Sequence, residues 1–598
     1  MKRALPWALI LILAAGGLLR VGHWLQVREE PFFSQLVMDS WEFDGWAVRI
    51  LGGDWLGREV FFQPPLYPYL LALIFAVAGH ALSAVYLFQI ALGLAGLYAL
   101  YRAGRRLLGE SHGLAAAGLA ALYGPFIFYD VQVLKESVAV ALVCFLLWAL
   151  AEARDRERAG AWIGAGALTG LIALLRENML LVLPVLLLLA ALDRNAGRSR
   201  LRNTAALLGG CLLVLFPVAV RNGVVGGVFL PTTFQGGVNF YIGNNPDATG
   251  WYRPIVPGKQ TPEYEKREPI RVASGEVGRP LTPAESSSYW MGKALGWVRA
   301  HPGHFLRLQA VKAVLFWEWY ERPDAVDYYY VRTRSFVLGL PLIEFGAISL
   351  LALAGMVLMR RRWRVLAAVW AFILAWMGST VVFFLFSRYR LPVVPALMIL
   401  AAVPLVEGWP ALRKGMDVPR LLGAAGIALA LAAPHLAGFE YRRDLTHYNL
   451  AVIYERIGRL DEAERNYREA LAADPRDFLS CLNLGNIASR RGDNRAALDW
   501  YLKAAAIQPE TEGVHIDLGR VHAILGDIPS ALAELNLALA INPESVEALH
   551  NKAVLTARQG DFGEARRLNR RVLELAPDWQ PALALKTKLE KISPPLKR

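Results

Sequence analysis

Cysteine is scarce in this 598-residue chain, which has only Cys144, Cys211 and Cys481. Two of the three lie inside apolar runs, so neither a disulfide framework nor a cysteine-based zinc site can be built, and all three read as small buried hydrophobes. Charge is scarce as well, at 19% of residues against 55% hydrophobic, with a mean hydropathy of +0.33. That balance excludes a disordered, collagen-like or ordinary cytosolic protein. The sequence holds no glycine-rich phosphate loop, no placeable Ser/His/Asp set and no nucleic-acid motif, which removes those chemistries and nucleic acid as a partner. His301-Pro302-Gly303-His304 has helical spacing for a metal pair but lacks a third ligand. No metal site is therefore assigned and no cofactor is required, although a divalent cation stays compatible with the sequence.

What the sequence does have is apolar length. Behind Lys2 and Arg3, the run from Leu5 to Leu19 has no clean small-x-small cleavage site and reads as a retained first span. Further runs long enough to cross lie at about 82–101, 112–129, 134–152, 160–175, 178–193, 204–220, 336–358, 365–386, 391–407 and 421–438. Pro65 to Gly79, about 14 residues opening on prolines, suits a helix lying in the membrane interface. Glycines at 160, 164, 166 and 170 suit close packing between helices.

The net charge of +13 is a statement about topology. The short-loop basic clusters are Lys2/Arg3, Arg102/Arg105/Arg106, Arg154/Arg156/Arg158, Arg194/Arg198/Arg200/Arg202, Arg360/Arg361/Arg362/Arg364 and Arg413/Lys414/Arg420. All fall on one side if the chain crosses eleven times and 65–79 does not span. The N-terminus is then cytoplasmic and the C-terminus outside. Loops 20–81 and 221–335, with the turns at Asp130, Arg176 and 387–390, face the extracytoplasmic side.

Near residue 440 the pattern becomes polar and alanine-rich, with a period of 34. The series Ala451/Gly485/Gly519/Ala553, Gly458/Gly492/Gly526/Gly560, Ala463/Ala497/Ala531/Ala565 and Pro475/Pro509/Pro543/Pro577 each step by 34. Small residues recur where paired helices approach, and proline recurs where the second helix ends. Four tetratricopeptide repeats are expected at 444–477, 478–511, 512–545 and 546–579, with a closing helix to about 593. Their concave groove suits an acceptor or partner protein. The fold class is thus all-α: a polytopic membrane helix bundle over 1–440, then an α-solenoid over 444–593.

Candidate chemistry collects in the outer loops and turns. Asp39, Glu42, Asp44 and Asp54 lie within sixteen residues, followed by Phe61-Phe62-Gln63-Pro64-Pro65-Leu66-Tyr67. A carboxylate beside an interfacial helix can act as general base on a substrate entering there, and either Asp39 or Asp44 fits; Asp54 reads as a turn or cap. Asp130, Lys135 and Glu136 end a span, where ionisable groups are costly unless paired, and form a second acidic wall. Arg176, and Arg388 and Arg390 around Tyr389, break the positive-inside bias. A phosphate or pyrophosphate at the membrane surface explains them, because guanidinium binds phosphate oxygens in a planar fork. Trp317, Trp319, Tyr320 and Tyr328 to Tyr330 read as an aromatic girdle.

Met38-Asp39 through Gly53-Asp54-Trp55 to Pro64-Pro65-Leu66, and Arg388-Tyr389-Arg390-Leu391-Pro392, resemble the GT-C superfamily of membrane glycosyltransferases. The likeness is to the branch of protein O-mannosyltransferases, aminoarabinose transferases and RgtA/B/C/D-like enzymes, over about residues 1–440. Phe43 stands where that family has tyrosine, and Asp39-Ser40 where it often has Asp-Glu. Asp130 matches acids that the family carries after its third span. The join to tetratricopeptide repeats resembles, in architecture alone, a group of animal protein O-mannosyltransferases.

The resemblance implies an inverting transferase taking a sugar from a polyprenyl-phosphate donor to an acceptor hydroxyl. Asp39 or Asp44 would be its base, and Arg388, Arg390 or Arg176 would hold the phosphate. Glu42, Asp130, Lys135, Glu136 and Tyr389 complete the expected substrate-binding set. The expected location is a multi-pass plasma membrane, the inner one in a bacterium. The alternatives are a membrane-anchored repeat scaffold without catalysis and a lipid-linked sugar transporter.

Overall fold

The computed structural model describes residues 6–156, 159–192, 199–256, 261–324, 326–413, 423, 426 and 444–592. The chain divides into a unit spanning residues 1–440 and a unit spanning 441–598. Among the described residues both are helical; the only β pairings are the isolated bridges Tyr123–Ile343 and Trp251–Leu385.

In the first unit six apolar stretches are long enough to cross a membrane: Trp7–Val27, Leu82–Leu108, Glu136–Arg154, Arg200–Gly226, Phe345–Val381 and Ser387–Gly408. The apolar helices Leu66–Ala78, Ala159–Ala173 and Met179–Ala191 are shorter. The helix Leu66–Ala78 has 13 residues, roughly 20 Å, short of the ~30 Å hydrocarbon core. The 421–438 run lies outside the described residues, apart from positions 423 and 426.

Two expected runs are broken. Residues 112–129 form the helices Glu110–Ala121 and Gly124–Tyr129. The break occurs where Gly124 donates its N–H to the Ile343 carbonyl at 2.9 Å and lies against the Tyr328 hydroxyl, leaving no room for a Cβ. Residues 336–358 do not form one helix either. A short turn, Phe336–Gly339, precedes Pro341, and the apolar helix runs Phe345–Met359, because proline disfavours helical backbone in the residue before it. The cluster Arg360–Arg364 lies in a 3₁₀ turn kinked at Arg362, between Phe345–Met359 and Ala367–Val381.

The two ends of the helix Glu136–Arg156 are chemically different. Glu136 at its start meets Arg176 and Arg388. Near its other end Glu152 lies 3.6 Å from Arg102, about 24 Å further along at 1.5 Å per residue. Other basic-loop residues carry their own pairs: Arg105 with Glu110, and Arg362 and His112 with Glu407.

In the second unit helices alternate as pairs: Asp444–Arg456 with Leu460–Ala473, Phe478–Arg490 with Asn494–Ile507, Glu512–Ile524 with Ile528–Ile541, and Val546–Arg558 with Phe562–Leu575. The helix Gln580–Ile592 closes the unit. Gly458, Gly492, Gly526 and Gly560 turn each pair at φ of 79°, 79°, 87° and 89°, where an L side chain would be strained. Asp493, Asp527 and Asp561 then cap the second helices by accepting from backbone N–H groups, which satisfies donors left over at each helix start.

Candidate active site

The site is built around Arg388. Asp39 stands in the first turn of the helix Met38–Leu51, where unpaired backbone N–H groups favour a carboxylate. Met38 enters that helix at φ 50°, the only non-glycine residue with positive φ among those described, a conformation that costs of order 1–3 kcal/mol. Asp39 Oδ1 accepts from Gln63 Nε2 at 3.0 Å, and its Oδ2 lies 2.8 Å from Arg388 Nη2. The same Nη2 pairs with Asp324, and Nη1 lies 3.6 Å from Glu136 Oε1. Glu136, wholly buried, also accepts from Arg176, whose guanidinium sits 4.6 Å from the centre of the Tyr389 ring.

Four elements bring these groups together. Asp39 comes from the first outer loop and Glu136 from the start of a long apolar helix. Arg176 comes from the turn between Ala159–Ala173 and Met179–Ala191, and Arg388 from the short helix Ser387–Arg390. Asp324 is brought in by a strap over that short helix. Arg322 donates its N–H to Ser387 Oγ at 2.6 Å, pairs with Glu318 at 2.8 Å, and stacks 3.9 Å from the Trp251 ring.

Burial and charge act against each other here. Burial pushes the Asp39 carboxyl up, but Arg388 and Lys135, with the hydrogen bonds from Gln63 and Arg388, overcome it and hold the group at about 2. Asp324 goes the other way: burial raises it and the neighbouring Asp39 and Glu136 add to the rise, against the pull of Arg388. Carboxylates this close do not ionise equally.

The donors outnumber their partners. Three buried donors, Arg388 Nε and Nη1 and Arg176 Nε, make no hydrogen bond among the described residues, against one buried acceptor without a hydrogen bond, Glu136 Oε2. Buried ionic donors without acceptors are costly, and guanidinium groups so placed match the oxygens of an anion. No three His, Cys, Asp or Glu residues among those described are grouped to hold a metal. The cation among Asp39, Asp324 and Glu136 is Arg388 itself.

Residues 62–221 match the family dolichyl-phosphate-mannose-protein mannosyltransferase, and residues 445–477, 480–513 and 522–589 match tetratricopeptide repeat families. The chain thus carries a mannosyltransferase-like segment at 62–221 and tetratricopeptide repeats in its C-terminal part. The matched segment holds Gln63, Lys135, Glu136 and Arg176, while Asp39, Asp324 and Arg388 lie outside it. No curated protein matches the chain. Solved structures that resemble it include MamA (18% identity, 25% of this chain and 82% of that one, TM-score 0.24). YrrB, titled a TPR protein with an unusual peptide-binding site, gives 19% identity, 31% and 91% coverage and a TM-score of 0.23. PilF of Pseudomonas aeruginosa gives 20%, 31% and 82%, with a TM-score of 0.24.

Elsewhere in the first unit, the other expected site residues have different partners. Asp44 pairs with His80 Nε2 at 2.7 Å, and Glu42 lies 3.7 Å from Arg49. On a helix, five residues of separation turn Asp44 about 140° away from Asp39. Asp130 is bound to Arg20 at 2.6 Å and accepts from Ser137, so of the two acids expected in the second wall it is Glu136 that joins the Arg388 cluster. Arg390 donates to the carbonyls of Phe316, Glu318 and Tyr320 and pairs with Glu321 at 3.0 Å, which fastens the end of the helix Pro302–Phe316. Lys135 lies 5.5 Å from the Phe43 ring, and Tyr389 stacks under Arg176.

Sequence reasoning did not single out Asp324 or the role of Gln63. The available signal was Arg322-Pro323-Asp324, an acid following the aromatic cluster Trp317 to Tyr320.

Proposed function

We propose that this membrane protein transfers a sugar from a polyprenyl-phosphate donor to an acceptor hydroxyl, with inversion at the anomeric carbon. The observation carrying this reading is the Asp39–Arg388–Glu136–Arg176 cluster, a carboxylate beside two buried guanidinium groups with N–H donors to spare. The donor's phosphate accepts from Arg388 and Arg176. Asp39 takes the proton of the acceptor hydroxyl as its oxygen forms the new bond to the anomeric carbon. The bond from that carbon to the phosphate oxygen breaks on the opposite face. The lipid phosphate leaves with the bonding pair, and the two arginines stabilise its charge. Holding both substrates in one cleft supplies much of the acceleration.

The site residues face the extracytoplasmic side in this reading, and the N-terminus is cytoplasmic. The gathering of residues 39, 136, 176 and 388 at one end of the helices, away from the Arg102–Glu152 end, supports that orientation. The repeats recruit an acceptor or partner protein. Asp39, not Asp44, is the base, because Asp39 adjoins both arginine and Gln63. The test is Asp39→Asn in membranes supplied with radiolabelled lipid-linked sugar. Transfer drops by about 10²–10⁴-fold, the span of general-base catalysis, while insertion and solubilised size stay unchanged. Undiminished transfer rejects the assignment.

A further inference from the structure

Arg20 stands seven residues before the end of the helix Trp7–Val27, ~10 Å inside it at 1.5 Å per residue, and no step of the proposed transfer uses it. Its side chain is only 1% exposed. An arginine at that depth in an apolar helix is costly unless it is paired. Its Nε lies 2.6 Å from Asp130 Oδ2, and its Nη1 donates to the carbonyls of Gly16 at 3.1 Å and Ala121 at 3.4 Å. On its other side the Asp130 carboxylate packs on bare glycine, since a Cβ at Gly93 would lie 2.8 Å from the same Oδ2. The carboxylate is therefore confined between the helices Trp7–Val27 and Leu82–Leu108.

The pair connects to the Arg388 cluster through one hydroxyl. Asp130 Oδ1 accepts from Ser137 Oγ, and Ser137 adjoins Glu136, the wholly buried carboxylate that meets Arg176 and Arg388. The turn leading from Asp130 into the helix Glu136–Arg156 is held a second time by Gln89, whose Nε2 donates to the carbonyls of Asp130 at 3.2 Å and Gln132 at 2.7 Å. A cavity of about 20 Å³, room for a single water, touches Arg20, Asp130, Ser137 and Glu136 together. Stability alone does not account for such a pair, because apolar residues of similar volume often replace a buried ion pair without loss. What they cannot supply is direction: an acceptor aimed at the first turn of the helix that bears Glu136.

We propose that Arg20 is a positioning residue for Glu136, acting through Asp130 and the Ser137 hydroxyl. By fixing the first turn of the helix Glu136–Arg156, the pair sets where Glu136 holds the guanidinium groups of Arg176 and Arg388, and with it the spacing of the two cations. The first apolar helix is then part of the site's framework and more than a tether. The consequence for donor binding rests on the transferase reading of the Arg388 cluster. The consequence for the turn does not, and it is measurable without turnover.

The experiment uses the full chain in nanodiscs. Arg20→Met combined with Asp130→Leu removes the pair without leaving a lone buried charge, so the double variant melts close to wild type while each single variant melts earlier. Hydrogen–deuterium exchange at residues 131–138 and transfer kinetics with lipid-linked donor are then measured. Exchange and donor KM each rise roughly tenfold, within the span found for coupled neighbours, while acceptor KM stays unchanged. Ser137→Ala, which leaves both ions paired, moves both readouts in the same direction, and adding it to Glu136→Gln raises donor KM no further. A purely structural pair predicts wild-type exchange and wild-type donor KM in the double variant, and that result overturns the proposal. So does either readout moving alone in a protein that transfers, or additive effects of Ser137→Ala and Glu136→Gln. If the double variant folds poorly, Ser137→Ala carries the test by the same criteria. Faster exchange in the variants of a protein whose wild type shows no transfer keeps the positioning role and rejects the transferase reading.

Discussion

Replacing Arg388 by glutamine removes the one cation shared by Asp39, Asp324 and Glu136. Two consequences can be sized. The donor phosphate loses a two-pronged partner, and charge-assisted hydrogen bonds contribute about 1.5–3 kcal/mol each. A loss of about 3 kcal/mol corresponds to roughly 10²-fold in kcat/KM for the donor. The carboxylates also lose their counter-ion in a buried site, where breaking an ion pair costs about 3–5 kcal/mol of stability. Arg388→Gln is therefore expected to melt earlier, and its transfer must be measured well below its melting point. Arg388→Lys restores charge without the fork, so stability recovers more than donor kcat/KM does. The assay varies lipid-linked donor at saturating acceptor in detergent or nanodiscs, with Arg176→Gln in parallel. Donor kcat/KM within threefold of wild type for folded Arg388→Gln refutes the phosphate role.

Three further outcomes are expected. Glu265 is held at about 7 against an ordinary 4.5, chiefly by burial; the fold keeps a proton there that the unfolded chain has lost, so stability falls as pH rises through that window. The change is at most about 3 kcal/mol, less for partial exposure, and Glu265→Gln should flatten the melting temperature across it; an unchanged slope removes Glu265 as the source. In the repeats, a Cβ at Gly485 would lie 2.5 Å from the Tyr501 ring, so Gly485→Val should overpack the second helix pair by about 1–3 kcal/mol, seen as faster tryptic cleavage of that pair. Finally, the three native cysteines are buried, so Glu59→Cys and Glu590→Cys should label from outside intact cells with an impermeant maleimide, and Arg361→Cys only after permeabilisation. The reverse pattern rejects the proposed sidedness.

How far the sequence reveals this arrangement depends on the range of the interaction. Residues recurring every 34 positions announce the helix pairs, since Gly458, Gly492, Gly526 and Gly560 are needed by backbone geometry alone. Long apolar runs are equally local signals, as is Pro341 at the break before Phe345, whereas the helix break at Tyr123 depends on its contact with the distant Ile343. At the site, residue types were legible and their pairing was not. Asp39 and Asp44, or Arg388 and Arg390, differ by where a helix turns them. Arg388 and Arg390 are two positions apart, about 200° around the axis, so one reaches the carboxylates while the other fastens backbone carbonyls. Asp324 reaches Arg388 only because Arg322 straps its segment over Ser387. That information resides in a tertiary contact and in no motif.

The position of Arg388 also bears on when Asp39 can act. With a carboxyl at about 2, Asp39 is a poor proton acceptor while Arg388 holds its Oδ2 at 2.8 Å. A donor phosphate accepts from that same guanidinium, and every N–H turned toward phosphate is withdrawn from the carboxylate. Asp39 should therefore become more basic on donor binding, because burial then meets less opposition. The proton-accepting group is switched on by the substrate that needs it. Kinetics can separate the two states, since kcat/KM for acceptor at vanishing donor reports ionisations of the free enzyme and kcat those of the complex. The acid limb of kcat should thus lie at higher pH than that of kcat/KM, and Arg388→Gln should bring the two limbs together. Coincident limbs in the wild type would mean that the phosphate does not draw on Arg388, and the coupling between leaving group and base would have to be abandoned.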